Sequence, residues 1–366
     1  MHLQEISLIN FRNYPEATLA FSPKINCFTG ANGMGKTNLL DAIHYLSLCK
    51  SYFSTADSQN ILFGESFFMI QGRFEKDGRE EEVLVSVKKA QKKIVKRNKN
   101  DYEKLSEHIG LFPLVMISPL DSVLITGGSD QRRRFADGII SQFDKRYLER
   151  LIEYNNTLQQ RNALLKQFAM SRSFDGTLLE VLDEQLAALG SYIHQARQEF
   201  LKNFVPVFEK YYHLLSGGAE PVQLNYVSTL QGADYLQALK DSIKKDCALE
   251  HTSVGVHRDD LIFLLQHNEV KKYASQGQQK TFLLALKLGQ YEYIKNITGI
   301  KPLLLLDDIY DKLDNTRFEE LIGLVSSDDF GQVFITDTSA KRATDVFKKI
   351  KVDFKLFKVS GGKIDA

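Results

Sequence analysis

The spacing of apolar positions changes twice along this chain, and the changes mark its parts. Up to about residue 125 the apolar runs are short and strand-like, at 3–9, 25–28, 67–74 and 83–87, with turn signals such as Lys76-Asp77-Gly78 between them. From about 130 to 215 the spacing becomes helical. Leu148, Leu151, Leu158 and Leu165 recur at heptad-type intervals, with Asn155 and Asn162 at two further seam positions. After a break at Ser173-Phe174-Asp175-Gly176, the series Leu179, Leu182, Leu186, Leu189, Ile193, Ala196 and Phe200 resumes the pattern. This predicts an antiparallel helical hairpin, packed either as a short coiled coil whose register the asparagines fix or as ordinary amphipathic helices. From about 250 the strand-like runs return, at 261–265, 303–306 and 333–335. The expected architecture is α/β, with one domain built from both chain ends (1–125 and 251–366) and a helical domain (126–250) inserted between them.

The segment Gly30-Ala31-Asn32-Gly33-Met34-Gly35-Lys36-Thr37 lies between the strand-like run 25–28 and a helically spaced series, Leu39, Leu40, Ile43 and Leu46. It meets the G-x-x-x-x-G-K-[ST] pattern in the strand–loop–helix setting that such a phosphate loop requires. Its glycines let successive N–H groups converge on one anion at the positive end of the helix. Lys36 is expected on the β- and γ-phosphates, and Thr37 on a Mg²⁺ ion. A nucleoside triphosphate site is thereby predicted.

A second element completes that site. Leu303-Leu304-Leu305-Leu306 reads as a strand buried on both faces of a parallel sheet, and it ends in Asp307-Asp308. Carboxylates at that end of a strand lie where open α/β sheets bind ligands. Asp307 is the expected metal partner and Asp308 the expected base that orients the attacking water. Further along, Ser275-Gln276-Gly277-Gln278 opens another helix. Ser275 and Gln278 fit a capping box, and the same hydroxyl, bare glycine backbone and helix N-terminus also fit a second phosphate cradle. Two phosphate-reading surfaces in one chain suggest two copies enclosing nucleotide between them.

Composition narrows the setting. The 366 residues suggest two domains, and at 43% hydrophobic and 25% charged they are ordinary globular material. A net charge of +1 excludes a uniformly basic coat for nucleic acid, so any such surface must be local. Three cysteines with no C-x-x-C pair give neither a disulfide frame nor a zinc site. With no long apolar stretch and no leader-like N-terminus, a cytoplasmic protein without a membrane segment is expected.

The order of phosphate loop, Ser-Gln-Gly-Gln-Gln, Leu-Leu-Asp-Asp and a following Asp-x-Leu-Asp resembles ATP-binding-cassette heads of the SMC-like type. Within that group the chain resembles the RecF family of bacterial recombination mediators. The resemblance rests on Asn10-Phe11-Arg12-Asn13-Tyr14, on Gly33 through Ile43 with Asn38, and on Gln131-Arg132-Arg133-Arg134-Phe135. It rests also on Gln160-Arg161-Asn162, Gly255-Val256-His257-Arg258-Asp259 and Gln332-Val333-Phe334-Ile335-Thr336. It implies a P-loop NTPase head with an inserted helical domain, ATP bound also by Asn38 and Arg12, and a weak ATPase serving as a switch. It implies that Ser275, Gln276, Gly277 and Gln278 form a signature acting across an ATP-dependent homodimer. Asp311, Leu313 and Asp314 would form the D-loop. The implied work is recombinational repair: binding duplex DNA beside single-strand gaps, with RecR as partner and RecA loading as the outcome. Some positions depart from the family pattern: Leu120, Ser129, Val256, Asp311, and Asp337 where transporter cassettes carry a switch histidine.

A basic run with no acid inside it, from Lys88 to Lys99, contains Lys92, Lys93, Lys96 and Arg97 as candidate DNA contacts. The plainer reading is a solvated hairpin face, neutralised locally by Glu80, Glu81 and Glu82. A second cluster comprises Arg132, Arg133, Arg134, Lys145 and Arg146. His257-Arg258-Asp259 also resembles a protein-kinase catalytic loop, but the asparagine such a loop needs five positions after its aspartate is absent, position 264 being leucine, and the phosphate loop is of the wrong kind for a kinase. The remaining alternative function is a cassette ATPase that drives a protein or nuclease assembly with no DNA contact of its own.

Overall fold

The computed structural model describes residues 1–171, 174–218, 220–230, 232, 234–309 and 315–365, the side chains of 315–317 excepted. Two compact units emerge: Met1–Asp121 with Gln290–Ala366, and Ser122–Gly289.

In the first unit the amino-terminal runs form an antiparallel sheet. Its strand order is Tyr14–Ala20, His2–Phe11, Phe67–Lys76, Arg79–Lys88, Ile94–Arg97 and Asn100–Asp101. The turn between the third and fourth strands has Asp77 and Gly78 at φ 53° and 72°, the doubly left-handed geometry that suits strand twist. A second sheet holds Ile25–Thr29, Val333–Asp337, Leu303–Leu306 and Leu114–Ile117 in parallel on one side. Phe354–Ser360 pairs parallel to the other edge of Ile25–Thr29 and carries the short antiparallel strand Lys363–Asp365. The leucines of Leu303–Leu306 are all wholly buried, as a strand covered on both faces requires. The helix Lys36–Leu48 touches strands of both sheets, and Leu39, Leu40, Ala42, Ile43, Tyr45 and Leu46 are buried around it. Gly72 lets this helix come close: a Cβ there would lie 2.4 Å from Leu46 Cδ1. Phe21, Phe28, Phe334 and Phe357 form an aromatic cluster on the other sheet, with Phe21 and Phe334 centroids 5.0 Å apart.

In the second unit Lys145–Ser171 and Gly176–Ser216 form the helical hairpin, and Asp175 caps the second helix by accepting from Thr177 and Leu178 N–H. In the first helix Leu165 is buried as expected, but the seam lies one residue away from the other three leucines. Tyr147, Tyr154, Arg161 and Phe168 are buried at heptad spacing, whereas Leu148, Leu151 and Leu158 are half-buried and Asn155 is exposed. Asn162 accepts from the Thr252 N–H and hydroxyl, both at 2.8 Å, so it holds a loop instead of the helix register. Arg161 is the polar residue at the seam. Its guanidinium donates to Asp183 at 2.5 Å, Asp246 at 2.7 Å and Thr252 at 3.0 Å, tying both hairpin helices to Tyr235–Leu249. A side chain that large and charged is tolerated inside only because carboxylates meet it.

The division also falls elsewhere than expected. Residues 251–289 group with the inserted unit, because Asp260–Leu265 pairs antiparallel with Val222–Val227 from the end of the hairpin region. The second return of strand-like sequence therefore begins inside the insertion.

Candidate functional site

The phosphate loop hangs between the end of Ile25–Thr29 and the start of Lys36–Leu48, both central in the first unit. Gly30, Gly33 and Gly35 have φ of 152°, 81° and 110°, so the backbone curls as the sequence requires. A Cβ on Gly30 would lie 2.3 Å from the Val359 carbonyl oxygen, and one on Gly35 2.4 Å from Asn13 Nδ2. Lys36 folds back into the loop, donating to the carbonyls of Gly30 at 2.7 Å and Ala31 at 3.0 Å. Ammonium, hydroxyl and backbone donors thus face one small cavity lined by Asn32, Gly33, Gly35, Lys36, Thr37, Asn38, Asp308 and Thr336.

Parallel pairing brings the acids to this cavity. The Asp307 N–H donates to Ile117 O at 2.8 Å, and the Thr37 hydroxyl donates to the Asp307 carboxylate at 3.0 and 3.2 Å. Burial pushes the Asp307 carboxyl above its ordinary range, while hydrogen bonds from Thr336 and Thr37 pull it down. Asp308 lies in the left-handed region at φ 50°, which an aspartate tolerates better than a branched residue, and its side chain lines the cavity. Phosphate loop, metal-type carboxylate and second acid, almost a whole chain apart in sequence, meet within a few ångströms.

In the second unit the expected capping box is formed. The Ser275 N–H donates to Gln278 Oε1 at 2.8 Å, and the Gln278 N–H to Ser275 Oγ at 3.2 Å. The Gln278 amide also donates to Glu220 at 2.8 and 3.1 Å. Ser275, Gln276 and Gly277 are exposed.

Comparison with known proteins gives the family. The model of the RecF/RecN/SMC N terminal domain matches residues 2–361. The chain is 49% identical over 357 residues to the DNA replication and repair protein RecF of Flavobacterium johnsoniae, covering 98% of this chain and 99% of that one. It is 49% identical over 366 residues to RecF of Phocaeicola vulgatus, covering 100% and 98%. This chain belongs to the RecF family. A solved structure of the recombination mediator protein RecF with ATP, in the RecFOR pathway, aligns at TM-score 0.90 and 32% identity over 100% of this chain and 97% of that one. The SMC head of Pyrococcus furiosus aligns at 0.56 with 17% identity over 100% and 95%, a likeness of fold alone. As a RecF-family chain the molecule is a DNA replication and repair protein, with the ABC/SMC-type ATPase fold.

Other residues singled out from the sequence sit differently. Arg12 does not line the cavity. Its guanidinium donates to Asp41 at 3.1 Å and to the hydroxyls of Ser54 at 2.9 Å and Ser51 at 3.4 Å. The basic run is largely committed to partners within its own unit. Lys93 donates to Cys49 O at 2.6 Å and to Asp57 at 2.8 Å. Arg97 grips Glu81 through two bonds at 2.6 and 2.8 Å, which hold that carboxyl below its ordinary range. Lys96 lies 3.4 Å from Asp101. Lys92 is exposed, with no ion pair among the described residues. In the second cluster, Arg132 pairs with Asp260 at 2.7 Å and Arg133 donates to Asp259 O at 2.5 Å. Asp311, Leu313 and Asp314 lie outside the described residues. In the RecF-family triplet His257-Arg258-Asp259, His257 is half-buried, and desolvation lowers it to about 4. Its Nδ1 is 2.7 Å from Tyr154 OH, and Asp259 pairs with Arg197 at 3.1 Å. The triplet is a structural brace.

Three residues of the site escaped assignment from sequence. Asn13 Nδ2 donates to Met34 O at 3.0 Å, Asn13 Oδ1 accepts from Asn38 at 2.8 Å, and Tyr14 OH donates to Gly35 O at 3.0 Å. The signal was present in Asn10-Phe11-Arg12-Asn13-Tyr14: a polar pair at a hairpin turn, where sheet packing has no use for it. The third is Thr336. No helix of the described residues is long and apolar enough to cross a membrane.

Proposed function

We propose that the protein is an ATP-driven DNA clamp of recombinational repair. It binds ATP at the phosphate loop, dimerises on it, and holds duplex DNA beside single-strand gaps in the cytoplasm. The observation that carries this reading is the meeting of Lys36, Thr37 and Asp308 around one cavity, with Asp307 bonded to the Thr37 hydroxyl beside it. ATP gives Lys36 phosphate oxygens in exchange for its two loop carbonyls, and the loop N–H groups surround the same charge.

The donor set fits Mg²⁺. Hard oxygens from one hydroxyl and one carboxylate suit an ion that keeps waters and phosphates as its other ligands. The Thr37 hydroxyl already gives its proton to Asp307, which leaves its lone pairs for the cation. When bound, the ion would neutralise charge on the transferring phosphoryl group. Asp308 orients water at the γ-phosphate and takes its proton as the phosphorus bond to water forms and the bond to the bridging oxygen breaks. Hydrolysis then serves as a weak, switch-like ATPase. Ser275 and Gly277, exposed on their own unit, read the γ-phosphate held by the second copy. The relatives' RecFOR pathway supports RecR as partner and RecA loading as the result.

The test is molar mass in solution without nucleotide, with ADP and with ATP, each with and without gapped duplex. Doubling with ATP alone, together with a salt-dependent ATP-enhanced shift of gapped DNA, is the expected outcome. A second reading, a cassette ATPase driving a protein or nuclease assembly, is favoured by one observation: Lys93, Arg97, Arg132 and Arg133 already have internal partners. An ATP-dependent dimer with no affinity for gapped DNA would establish it instead.

A further inference from the structure

Thr336 occupies a position that asks for valine. It lies in Val333–Asp337, between parallel neighbours, and is 1% exposed. A β-branched residue suits that strand, but a buried hydroxyl is unfavourable unless it is bonded. Among the described residues its hydroxyl bonds to the two acids of the site. Thr336 Oγ1 donates to Asp307 Oδ1 at 2.9 Å and accepts from the Asp308 N–H at 2.9 Å. The next residue, Asp337, stands where transporter cassettes carry a switch histidine, yet its carboxylate is turned to Arg342 at 2.5 Å and the Ser339 N–H at 2.8 Å. Strand alternation puts Thr336, not Asp337, on the cavity.

We propose that Thr336 is a positioning residue that sets both acids with a single hydroxyl. By donating to Asp307 it opposes the Thr37 hydroxyl on the same carboxylate and fixes which oxygen faces outward. By accepting from the peptide N–H between the acids it pins that peptide plane, and with it the left-handed turn that aims Asp308 into the cavity. Without the hydroxyl the peptide is free to rotate. Asp308 then samples orientations of which only some align water. This assignment rests on the proposed roles of Asp307 and Asp308, and it adds the group that makes those roles simultaneous.

Thr336→Val keeps shape and strand preference and removes donor and acceptor together, and Thr336→Ser restores both. Hydrolysis by the valine variant should fall roughly 10–100-fold in kcat, the scale seen when one preorganising bond is lost, with KM within about threefold. Thr336→Ser should stay within about threefold of wild type in both. A second readout needs no turnover. The gain in affinity for a fluorescent ADP analogue on adding Mg²⁺ should shrink in Thr336→Val, persist in Thr336→Ser, and be measured beside each variant's Tm. Should the valine variant fail to fold, Thr336→Ala, which cannot overpack the strand, carries the same expectations. Unchanged kcat in a folded valine or alanine variant overturns the proposal, as does a serine variant no better than valine. Asp308→Asn, measured alongside, separates the causes. If it too hydrolyses at the wild-type rate, the reading of the acids has failed; if it alone is impaired, only the positioning role has.

Discussion

The helices at Lys36 and at Gln276 both begin beside a glycine and a hydroxyl, yet their glycines answer to different constraints. In the first, glycine is forced from within. Gly30 and Gly35 hold left-handed or near-limit φ, and a Cβ on either would strike Val359 O or Asn13 at 2.3–2.4 Å. In the second, the capping box already satisfies Ser275 and Gln278, and a Cβ on Gly277 would meet nothing nearer than Ser275 Oγ at 3.9 Å. Alanine there would serve the helix better by about 1 kcal/mol. A glycine demanded by its own surroundings records local geometry. One that its surroundings do not demand points to a surface that something else approaches closely, as a signature read by a second copy requires.

The largest effect breaks the first helix end. Lys36→Met removes the cation while keeping the stem, and the hydrogen-bond partners it gives up among the described residues are the two loop carbonyls. ATP affinity should fall at least about a hundredfold, roughly 3 kcal/mol, with Tm little changed. Titration of a fluorescent ATP analogue measures it. Retained affinity would sink the phosphate-loop assignment.

Acid tests both units at once, because each holds an imidazole that desolvation keeps neutral. His108 lies in the first, its Nε2 2.7 Å from Leu46 O and its Nδ1 3.0 Å from Tyr102 OH, and burial holds it at about 4. His257 in the second is held at about 4 by the same cause. Since the unfolded rings titrate near their ordinary 6.5, the unfolded chain binds more protons between these values. Their contribution is fully present above about pH 6.5 and is lost as pH falls toward 4. Each is worth roughly 3 kcal/mol by the value of a pKa unit. Urea unfolding between pH 7 and 4.5 should weaken both units, His108→Gln should flatten the first, and an equally steep loss in that variant would remove the imidazole as the cause.

The same contrast explains what was legible in sequence. The strand-like runs at 25–28, 303–306 and 333–335 and the loop between the first of them and its helix carry their own constraints, so they were readable residue by residue. The hairpin was readable as helices, and Leu179, Leu182, Leu186, Leu189, Ile193 and Phe200 are buried as read. The seam of the first helix was not legible, because Arg161 looks like a surface residue until Asp183 and Asp246 arrive from distant segments. In the basic run the neutralisation by Glu81 was legible, since Glu81 pairs with Arg97, but not that by Asp57, which reaches Lys93 from a segment 36 positions away. Thr336 was invisible because its partners lie on a neighbouring strand, 29 positions away in the case of Asp307.

The second helix end is sharpened by two substitutions of smaller effect. Gly277→Ala should raise Tm slightly and leave monomer nucleotide affinity within about twofold, while weakening the ATP-dependent dimer about tenfold, near 1.4 kcal/mol. Ser275→Arg should abolish the dimer and lose about 1 kcal/mol of helix capping. Mixed with Lys36→Met, it leaves one composite site intact, so partial ATPase recovery is expected from two inactive partners. Sedimentation with ATP reads the first pair of effects. A Gly277→Ala protein that dimerises like wild type would leave that glycine without a role.

The smallest effect concerns the basic run, where the distinction between inward and outward demands applies to cations. Lys93 and Arg97 are spent on internal acids, with side chains 15% and 36% exposed. Replacing either by glutamine should lower stability by up to about 1 kcal/mol, the scale of such partly solvated pairs, and change DNA binding little. Lys88 and Lys92 are exposed and free of ion pairs among the described residues, so their effects should be reversed. Lys88→Gln with Lys92→Gln should leave Tm unchanged and lower the slope of log affinity for gapped duplex against log salt by about one for each phosphate left without its lysine. The slope, and not a single affinity, is the quantity to compare, because a folding defect lowers the active fraction equally at every salt concentration and leaves the slope alone. If the Lys93 and Arg97 variants lose slope while Lys88 and Lys92 do not, the internal ion pairs open on DNA, and the outward lysines return to being a solvated hairpin face.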